Sequence, residues 1–417
     1  MSTVRVSKND KNAVGSITLS GSKSISNRVL IIRALCEEPF EIVNLSDSDD
    51  TRTLQKLLSS EEYILDAHHA GTTFRFLTSY LAARKGENVL TGSERMQERP
   101  IKALSEALIE MGADISYTKN KGYPPLRIGS PAQNLKSSIQ LSADISSQYI
   151  SSLLLIAPSL PQGLEITLVG EIVSRPYLEM TLRIMEYFGV QHKWNDQTIH
   201  VAPQKYKPKD FYVEADWSAA SYYYIIAALA GEVDLTLKGL LKESLQGDSA
   251  IAEIGKAFGI HTQFLDREIR LTKNEKSPVT NYEYNFIQCP DIAQSVSTMA
   301  AGMNIEVLFS GLQTLRIKET DRIAALQNEL SKVQVKLFQK RISEPSDMEY
   351  YFQDGQVTSG NYPPAFSTYK DHRMAMAFAP LALLFPIEIE DHMVVTKSYP
   401  NFWKDLETLG YMLWDAN

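Results

Sequence analysis

Apolar residues recur along this chain in two rhythms. Nearly continuous runs of Ala, Leu, Ile, Met and Tyr open after small or polar residues at Ser24, Gly71, Ser146, Asp216, Asp291 and Asp371. A segment apolar on every face predicts a helix buried on most sides. Between these runs lie charged, amphipathic stretches that start near Asp49, Arg99, Arg175, Gly247, Lys318 and Pro400. Several end alike, in MGA at Gly112, FGV at Gly189, FGI at Gly259 and LGY at Gly410; a glycine just past the last apolar turn is a helix C-terminal cap. Short runs with a two-residue period, LEITLVG at 164–170, EVDLTLKG at 232–239 and IEVLFSG at 305–311, read as half-buried strands. The pattern predicts one mixed helix-and-strand unit used six times, an α/β (α+β) protein with two helices per unit.

Length changes this picture by dividing it. A chain of 417 residues exceeds one ordinary core, so two domains of similar size are expected. With 44% hydrophobic and 22% charged residues, it falls in the ordinary soluble class. The start MSTVRVSKND lacks the apolar core of a signal peptide, which predicts a cytoplasmic protein. The longest apolar run, MAMAFAPLALLFPI at 374–387, is shorter than a membrane span and carries Pro380 and Pro386, so no membrane partner is expected. Cys36 and Cys289 make no disulfide framework and no metal-ligand spacing. The balance of 42 basic against 50 acidic residues, a net charge of −8, argues against nucleic acid as a partner.

Against that acidic background, basic residues gather at the predicted helix starts: Lys23 and Arg28 in GSKSISNR, Arg75 in AGTTFRFL, Arg322 in KETDR, His372 and Arg373 in KDHRMAMAF. Arg99, Arg175 and Lys397 lie at the amphipathic openings. Helix starts attract anions because their unpaired N–H groups and the macrodipole favour negative charge. Taken singly, each signal has a plain alternative. KETDR reads as a solvated face with Lys318 and Arg322 one turn apart. GSKS lacks the GxxxxGK spacing of a phosphate loop. The adjacent His68 and His69 share no helix face, so no metal site is expected. The tyrosines at 222–224 read as core. Together, however, these signals recur at corresponding points of a repeat, as independent solvated faces would not.

The ordered series GSKSISNR, AGTTFRFL, ERPI, SSQ, SRPY, PDIAQS, LRIKETDR, KDHRMAMAF and TKSYPNF, from residue 21 to 402, resembles the 5-enolpyruvylshikimate-3-phosphate synthase family of the shikimate pathway. The resemblance implies the two-lobed enolpyruvyl transferase fold, six βαβαββ units with three per lobe, and an active site in the cleft between lobes. It implies a discontinuous C-terminal lobe, 1–19 plus 216–417, and an N-terminal lobe, 20–215. The stretch from Asp50 to Ala70 is shorter than the family's, so the first unit of the N-terminal lobe is expected to lack a strand pair. Position 69 is His where the family commonly has Asn, and Thr314 stands where Asn or His is common.

The implied reaction moves the enolpyruvyl group of phosphoenolpyruvate to the 5-hydroxyl of shikimate 3-phosphate and releases phosphate, with no metal or other cofactor. Two polyanions must then lie close together, and unit charges about 4 Å apart repel by about 4 kcal/mol at an effective dielectric near 20. The family's phosphoenolpyruvate ligands match Lys23, Gly71, Arg99, Gln148, Arg322, Arg373 and Lys397. Those for shikimate 3-phosphate match Lys23, Ser24, Arg28, Ser146, Ser147, Gln148, Ser174, Tyr177, Asp291 and Lys318. For proton transfer, Asp291 matches the base at the 5-hydroxyl, and Glu319 with Lys23 matches the pair at the methylene carbon. A monomer is the family's usual state. Two other readings stay open. Enolpyruvyl transfer to UDP-N-acetylglucosamine shares the fold, but its loop cysteine has no counterpart near Arg99. A non-catalytic anion binder would not need Lys23, Asp291 and Glu319 together.

Overall fold

The computed structural model describes residues 2–131, 136–273, 278–341, 349–360 and 363–415. Contacts divide the chain into two compact units, Met1–Ser20 with Glu214–Asn417, and Gly21–Val213. The crossings fall slightly away from the expected 19/20 and 215/216, because Ser20, Glu214 and Ala215 are bonded into the larger unit. Asp216 N donates to the Ser20 carbonyl at 3.2 Å, and Ala215 N to that of Gly239 at 2.9 Å. The buried Glu214 carboxylate accepts from Trp217 Nε1 at 2.7 Å, Ser244 Oγ at 2.7 Å, Leu241 N at 3.0 Å and Gln246 Nε2 at 3.0 Å.

The repeat is a parallel strand pair joined by a buried helix. Strands Ile64–Asp66 and Asn88–Thr91 flank helix Gly71–Ala82; Ser138–Ser142 and Leu164–Val169 flank Ser147–Ile156. In the larger unit, Asn281–Asn285 and Glu306–Ser310 flank Ala293–Gly302, and Ala365–Phe366 and Ile387–Glu390 flank His372–Phe378. A crossover between parallel strands starts its helix beyond the C-terminal end of the first strand, the edge where open α/β sheets collect their ligands. Amphipathic helices Lys102–Met111, Arg175–Tyr187, Ile251–Ala257 and Arg322–Ser331 each lead into an antiparallel hairpin that completes a four-stranded sheet. Gly112, Gly189, Gly259 and Gly410 end helices at φ of 106, 83, 76 and 82°, the left-handed region that a side chain would strain.

Two units of the repeat are irregular. Helix Asp49–Leu58 has no hairpin after it; the next strand, Ile64–Asp66, already belongs to the following sheet. Ile42–Val43 is left in a two-stranded pairing with Phe211–Tyr212, which is the shortened unit expected from the brief 50–70 segment. The last helix, Phe402–Thr408, is followed by one strand, Met412–Asp415, and its partner comes from the other end of the chain. Thr3–Ser7 inserts antiparallel between Ile387–Glu390 and Met412–Asp415, while Asn12–Thr18 pairs parallel with Glu232–Lys238. The first strands thus finish two sheets of the larger unit.

Tyr222, Tyr223 and Tyr224 lie in that unit's core, as their apolar setting predicts. Burial is tolerable because the hydroxyls find partners: Tyr223 meets the Tyr399 hydroxyl at 2.7 Å, and Tyr224 meets Thr262 at 2.8 Å. In the smaller unit, the entering and leaving strands are tied where Asn44 Nδ2 donates to the Val213 carbonyl at 2.9 Å. Gly21 lies against this tie, and a Cβ there would sit 1.9 Å from the Asn44 carbonyl oxygen. Gly21→Ala is therefore expected to lower unfolding stability by at least about 1–3 kcal/mol. Gly360→Ala, which meets nothing within 4 Å, should stay within about 0.5 kcal/mol. Denaturant titration of both variants checks the contrast.

Candidate functional site

The larger unit gathers its charged candidates around one guanidinium. Arg322 opens helix Arg322–Ser331 and is only 1% exposed. Its Nε donates to Asp371 Oδ2 at 2.7 Å, Nη1 to Asp291 Oδ1 at 2.9 Å, and Nη2 to Glu319 Oε2 at 2.9 Å. Burial works against the charge, but Asp371, Glu319 and Asp291 together hold the guanidinium pKa above its ordinary value. Each of the two outer carboxylates meets further cations. Lys397 Nζ donates to Glu319 Oε1 at 3.0 Å; Lys318 Nζ lies 3.4 Å from Asp291 Oδ1; and Arg373 Nη2 lies 3.4 Å from Asp291 Oδ2. Arg373 also donates to the Asp291 carbonyl at 3.0 Å and to Ser218 Oγ at 3.2 Å. The structure thus joins Asp291, Lys318, Glu319, Arg322, Arg373 and Lys397 in one network of alternating charge.

Three members of this cluster are absent from the sequence-based set. Asp371, 0% exposed, caps helix His372–Phe378 by accepting from Arg373 N at 2.9 Å, and with its other oxygen it anchors Arg322. Ser218, in the first turn of helix Trp217–Leu229, links Arg373 to the buried Asp248. Burial, and secondarily Asp291, pushes the Asp248 carboxyl from 3.8 up to about 7, with Arg373 opposing. Its Oδ1 has no hydrogen-bond partner among the described residues. All three occupy first turns or caps, as Arg322 and Arg373 do, but at such positions an Asp or Ser reads as an ordinary cap.

The smaller unit presents a different chemistry. Helices starting at Lys23, Gly71, Ser147 and Arg175 pack together, and their caps Ser22, Ala70, Ser146 and Ser174 make no side-chain capping bond. By contrast, the Asp216 and Asp371 carboxylates occupy the corresponding N–H groups in the larger unit. Ser22 Oγ is buried without a hydrogen-bond partner among the described residues. Ser174 adopts left-handed geometry, φ 57°, a conformation that non-glycine residues keep only where their surroundings impose it.

Four cations, Lys23, Arg28, Arg75 and Arg99, lie in or against these helices. Arg28, 2% exposed, is met by neutral groups: Nε donates to Thr181 Oγ1 at 2.7 Å, Nη1 to the Ser24 carbonyl at 2.8 Å, and Nη2 to Ser151 Oγ at 3.0 Å and the Tyr177 carbonyl at 3.3 Å. Burial pulls its pKa down to about 10, so it stays charged at neutral pH. Lys23 Nζ lies 3.6 Å from Asp50 Oδ2, an acid outside the sequence-based candidates. Arg99 and Arg75 converge on Gly71, where a Cβ would lie 2.6 Å from Arg99 Nη1 and 2.7 Å from Arg75 Nη1. A side chain there would displace the two guanidiniums from these positions. Arg75 also donates to Gln148 Oε1 at 3.1 Å, and Gln148 Nε2 to Thr72 Oγ1 at 3.1 Å. Ser146 and Ser147 stand at the start of the Gln148 helix. Helix starts without side-chain caps and guanidiniums converging on a glycine are features that favour anions. His69 Nδ1 pairs with Ser93 Oγ at 2.7 Å, and His68 lies 3.3 Å from Asp66.

Comparison with known proteins bears on both groups of residues. The chain matches the profile of the EPSP synthase (3-phosphoshikimate 1-carboxyvinyltransferase) family over residues 8–60 and 52–406. It is 47% identical over 397 residues to a Bacteroides fragilis protein named 3-phosphoshikimate 1-carboxyvinyltransferase, covering 95% of each. An Aliivibrio fischeri protein of the same name is 35% identical over 431 residues, covering 95% of this chain and 97% of that one. Among solved structures, EPSP synthase from Acinetobacter baumannii superposes with a TM-score of 0.77 at 20% identity, covering 100% of both chains. The enolpyruvyl transferase NikO from Streptomyces tendae gives 0.75 at 13% identity, covering 100% and 99%.

Asp248 generates a test of this electrostatic arrangement. Between about pH 4 and 7 the native carboxyl keeps a proton that the unfolded chain releases. Its stabilising contribution is therefore full below the unfolded pKa and lost as pH rises through about 7. Asp248→Asn should flatten the fall in unfolding free energy across that window; denaturant titrations at several pH values read the slope.

Proposed function

The chain belongs to the EPSP synthase family, and from that membership we infer that it transfers the enolpyruvyl group of phosphoenolpyruvate to the 5-hydroxyl of shikimate 3-phosphate, releasing phosphate. It is a 3-phosphoshikimate 1-carboxyvinyltransferase of aromatic amino acid biosynthesis. The observation that carries the assignment to particular residues is the Arg322 network, which sets two carboxylates, Asp291 and Glu319, among cations on either side of one guanidinium.

In the proposed reaction Asp291, with Lys318 beside it, accepts the 5-hydroxyl proton as that oxygen bonds to C2 of phosphoenolpyruvate. Glu319 or Lys23 delivers a proton to the methylene carbon, giving a tetrahedral adduct with a methyl group. Removal of a methyl proton by the same pair re-forms the double bond as the C–O bond to phosphate breaks. The electron pair leaves with phosphate, so no other cofactor enters. Arg99, Arg322, Arg373 and Lys397, with Lys23, Gly71 and Gln148, hold phosphoenolpyruvate. Ser24, Arg28, Ser146, Ser147, Gln148, Ser174 and Tyr177 hold shikimate 3-phosphate, together with Lys23, Asp291 and Lys318. The helix starts around Ser146 and Ser174, which carry no side-chain capping bond, support that assignment. Arg75 belongs with the Gly71 group on the same reasoning.

We further propose a monomer acting in the cytoplasm. Cys36 and Cys289 are free thiols, as suits a reducing compartment, and no helix among the described residues is long and apolar enough to cross a membrane. Phosphate release from phosphoenolpyruvate, measured with and without shikimate 3-phosphate, tests the activity. Release should require both substrates and fall by about a hundredfold or more in Glu319→Gln. Release without shikimate 3-phosphate would refute the transferase reading, and an unimpaired variant would remove Glu319 from the chemistry.

A further inference from the structure

The backbone entering Asp371 is held in an unfavourable shape. Tyr369 and Lys370 are consecutive non-glycine residues at φ 54 and 57°, immediately before the residues that anchor Arg322 and supply Arg373. Side chains disfavour that region, and two such residues in a row persist only where neighbours impose them. Asp371 N donates to the Thr368 carbonyl at 2.8 Å, closing the turn, but nothing in that bond selects the left-handed pair.

The selecting group is Glu329. It is 0% exposed, near the end of the helix that Arg322 begins. One carboxylate oxygen, Oε2, accepts from Ser367 N at 2.9 Å, and Oε1 accepts from the Tyr369 hydroxyl at 2.7 Å. A single rigid carboxylate thereby grips a main-chain and a side-chain group two residues apart in the strained segment. Lys332 Nζ, 2.6 Å from Glu329 Oε2, balances the buried charge and also donates to the Ala365 carbonyl at 2.8 Å. The Ser367 hydroxyl is fixed separately on Glu390 Oε2 at 2.5 Å. Arg322 and Glu329, seven residues apart, project from the same side of one helix. One grips Asp371 directly; the other grips the segment leading into it.

We propose that Glu329 is a positioning residue for the transfer: by clamping Ser367 and Tyr369 it forces the left-handed turn at Tyr369–Lys370 and so aims Asp371 and Arg373 at their partners. Glu329 is not among the residues proposed to hold either substrate. A carboxylate that served only to stabilise the fold would need no strained segment as its ligand, and the strain here lies next to the charged cluster. The inference rests on the proposed role of Arg373 in holding phosphoenolpyruvate.

Steady-state phosphate release, normalised to folded enzyme, tests it with Glu329→Ala, Glu329→Gln and Tyr369→Phe. Glu329→Ala should raise KM for phosphoenolpyruvate by about tenfold or more, since two bonds to a charged acceptor are lost. Affinity for shikimate 3-phosphate by calorimetry should stay within about twofold. Glu329→Gln, which keeps an acceptor oxygen, should recover most of the loss, and Tyr369→Phe should show about a threefold rise in the same parameter. Lys370→Gly, which adopts the left-handed region freely, should partly restore the Glu329→Ala enzyme. Wild-type kinetic constants in Tyr369→Phe, or in any folded Glu329→Ala enzyme, would overturn the proposal, and Tyr369→Phe decides alone if Glu329→Ala does not fold. Equal losses for both substrates would also overturn it. An inactive wild-type enzyme would instead refute the reading on which it rests.

Discussion

A buried arginine that must satisfy three carboxylates organises the larger unit. Arg322 cannot shed its proton, and burying a lone guanidinium would cost several kcal/mol, so the chain has to bring acids to it. Asp371, Asp291 and Glu319 do so from three separate segments: a helix cap, the short helical turn Pro290–Ile292, and the loop before Arg322 itself. Fixing those acids also fixes Lys318, Arg373 and Lys397, which pair with them. Removing the centre would leave three acids near one another, a larger penalty than the loss of any single bond.

The smaller unit solves the opposite problem. Its helix starts at Lys23, Gly71, Ser147 and Arg175 lack capping side chains, its deepest arginine is met by neutral oxygens, and two further arginines crowd a glycine. Such a surface is unfavourable to itself and favourable to a polyanion. A self-neutralised cluster in one unit thus contrasts with guanidiniums met largely by neutral groups in the other. Four units share one repeat, in which the parallel crossover places the buried helix start at the same edge of its sheet.

Much of this was legible in the chain. The buried and amphipathic helices appear where the apolar runs begin and where glycine ends them, because burial on all faces and left-handed caps leave strong local signatures at positions such as Gly112 and Gly189. The missing hairpin after Asp49–Leu58 was visible as a shortfall in length. The strand swap at the N-terminus was not readable from Thr3–Ser7 itself, since pairing with Met412–Asp415 is a non-local event with no trace in either strand. The candidate cations were readable because a basic residue at a helix start stands out against a net charge of −8. Asp371 and Asp248 were not, because an Asp at a first turn reads as an ordinary cap; Asp371 is such a cap and also an anchor. Glu329 and the left-handed pair at Tyr369–Lys370 leave no sequence signature.

The most direct test of the central claim is the Asp371→Asn enzyme, because asparagine keeps the cap and removes the charge that holds Arg322. Phosphate release and calorimetric binding of shikimate 3-phosphate should be measured on the same preparation. The account predicts a fall of about a hundredfold or more in kcat/KM for phosphoenolpyruvate, with shikimate 3-phosphate affinity within about threefold of wild type. Wild-type kcat/KM in Asp371→Asn would show that the Arg322 network does not organise the chemistry, and a matching collapse of shikimate 3-phosphate binding would contradict the division of work between the two sets of residues.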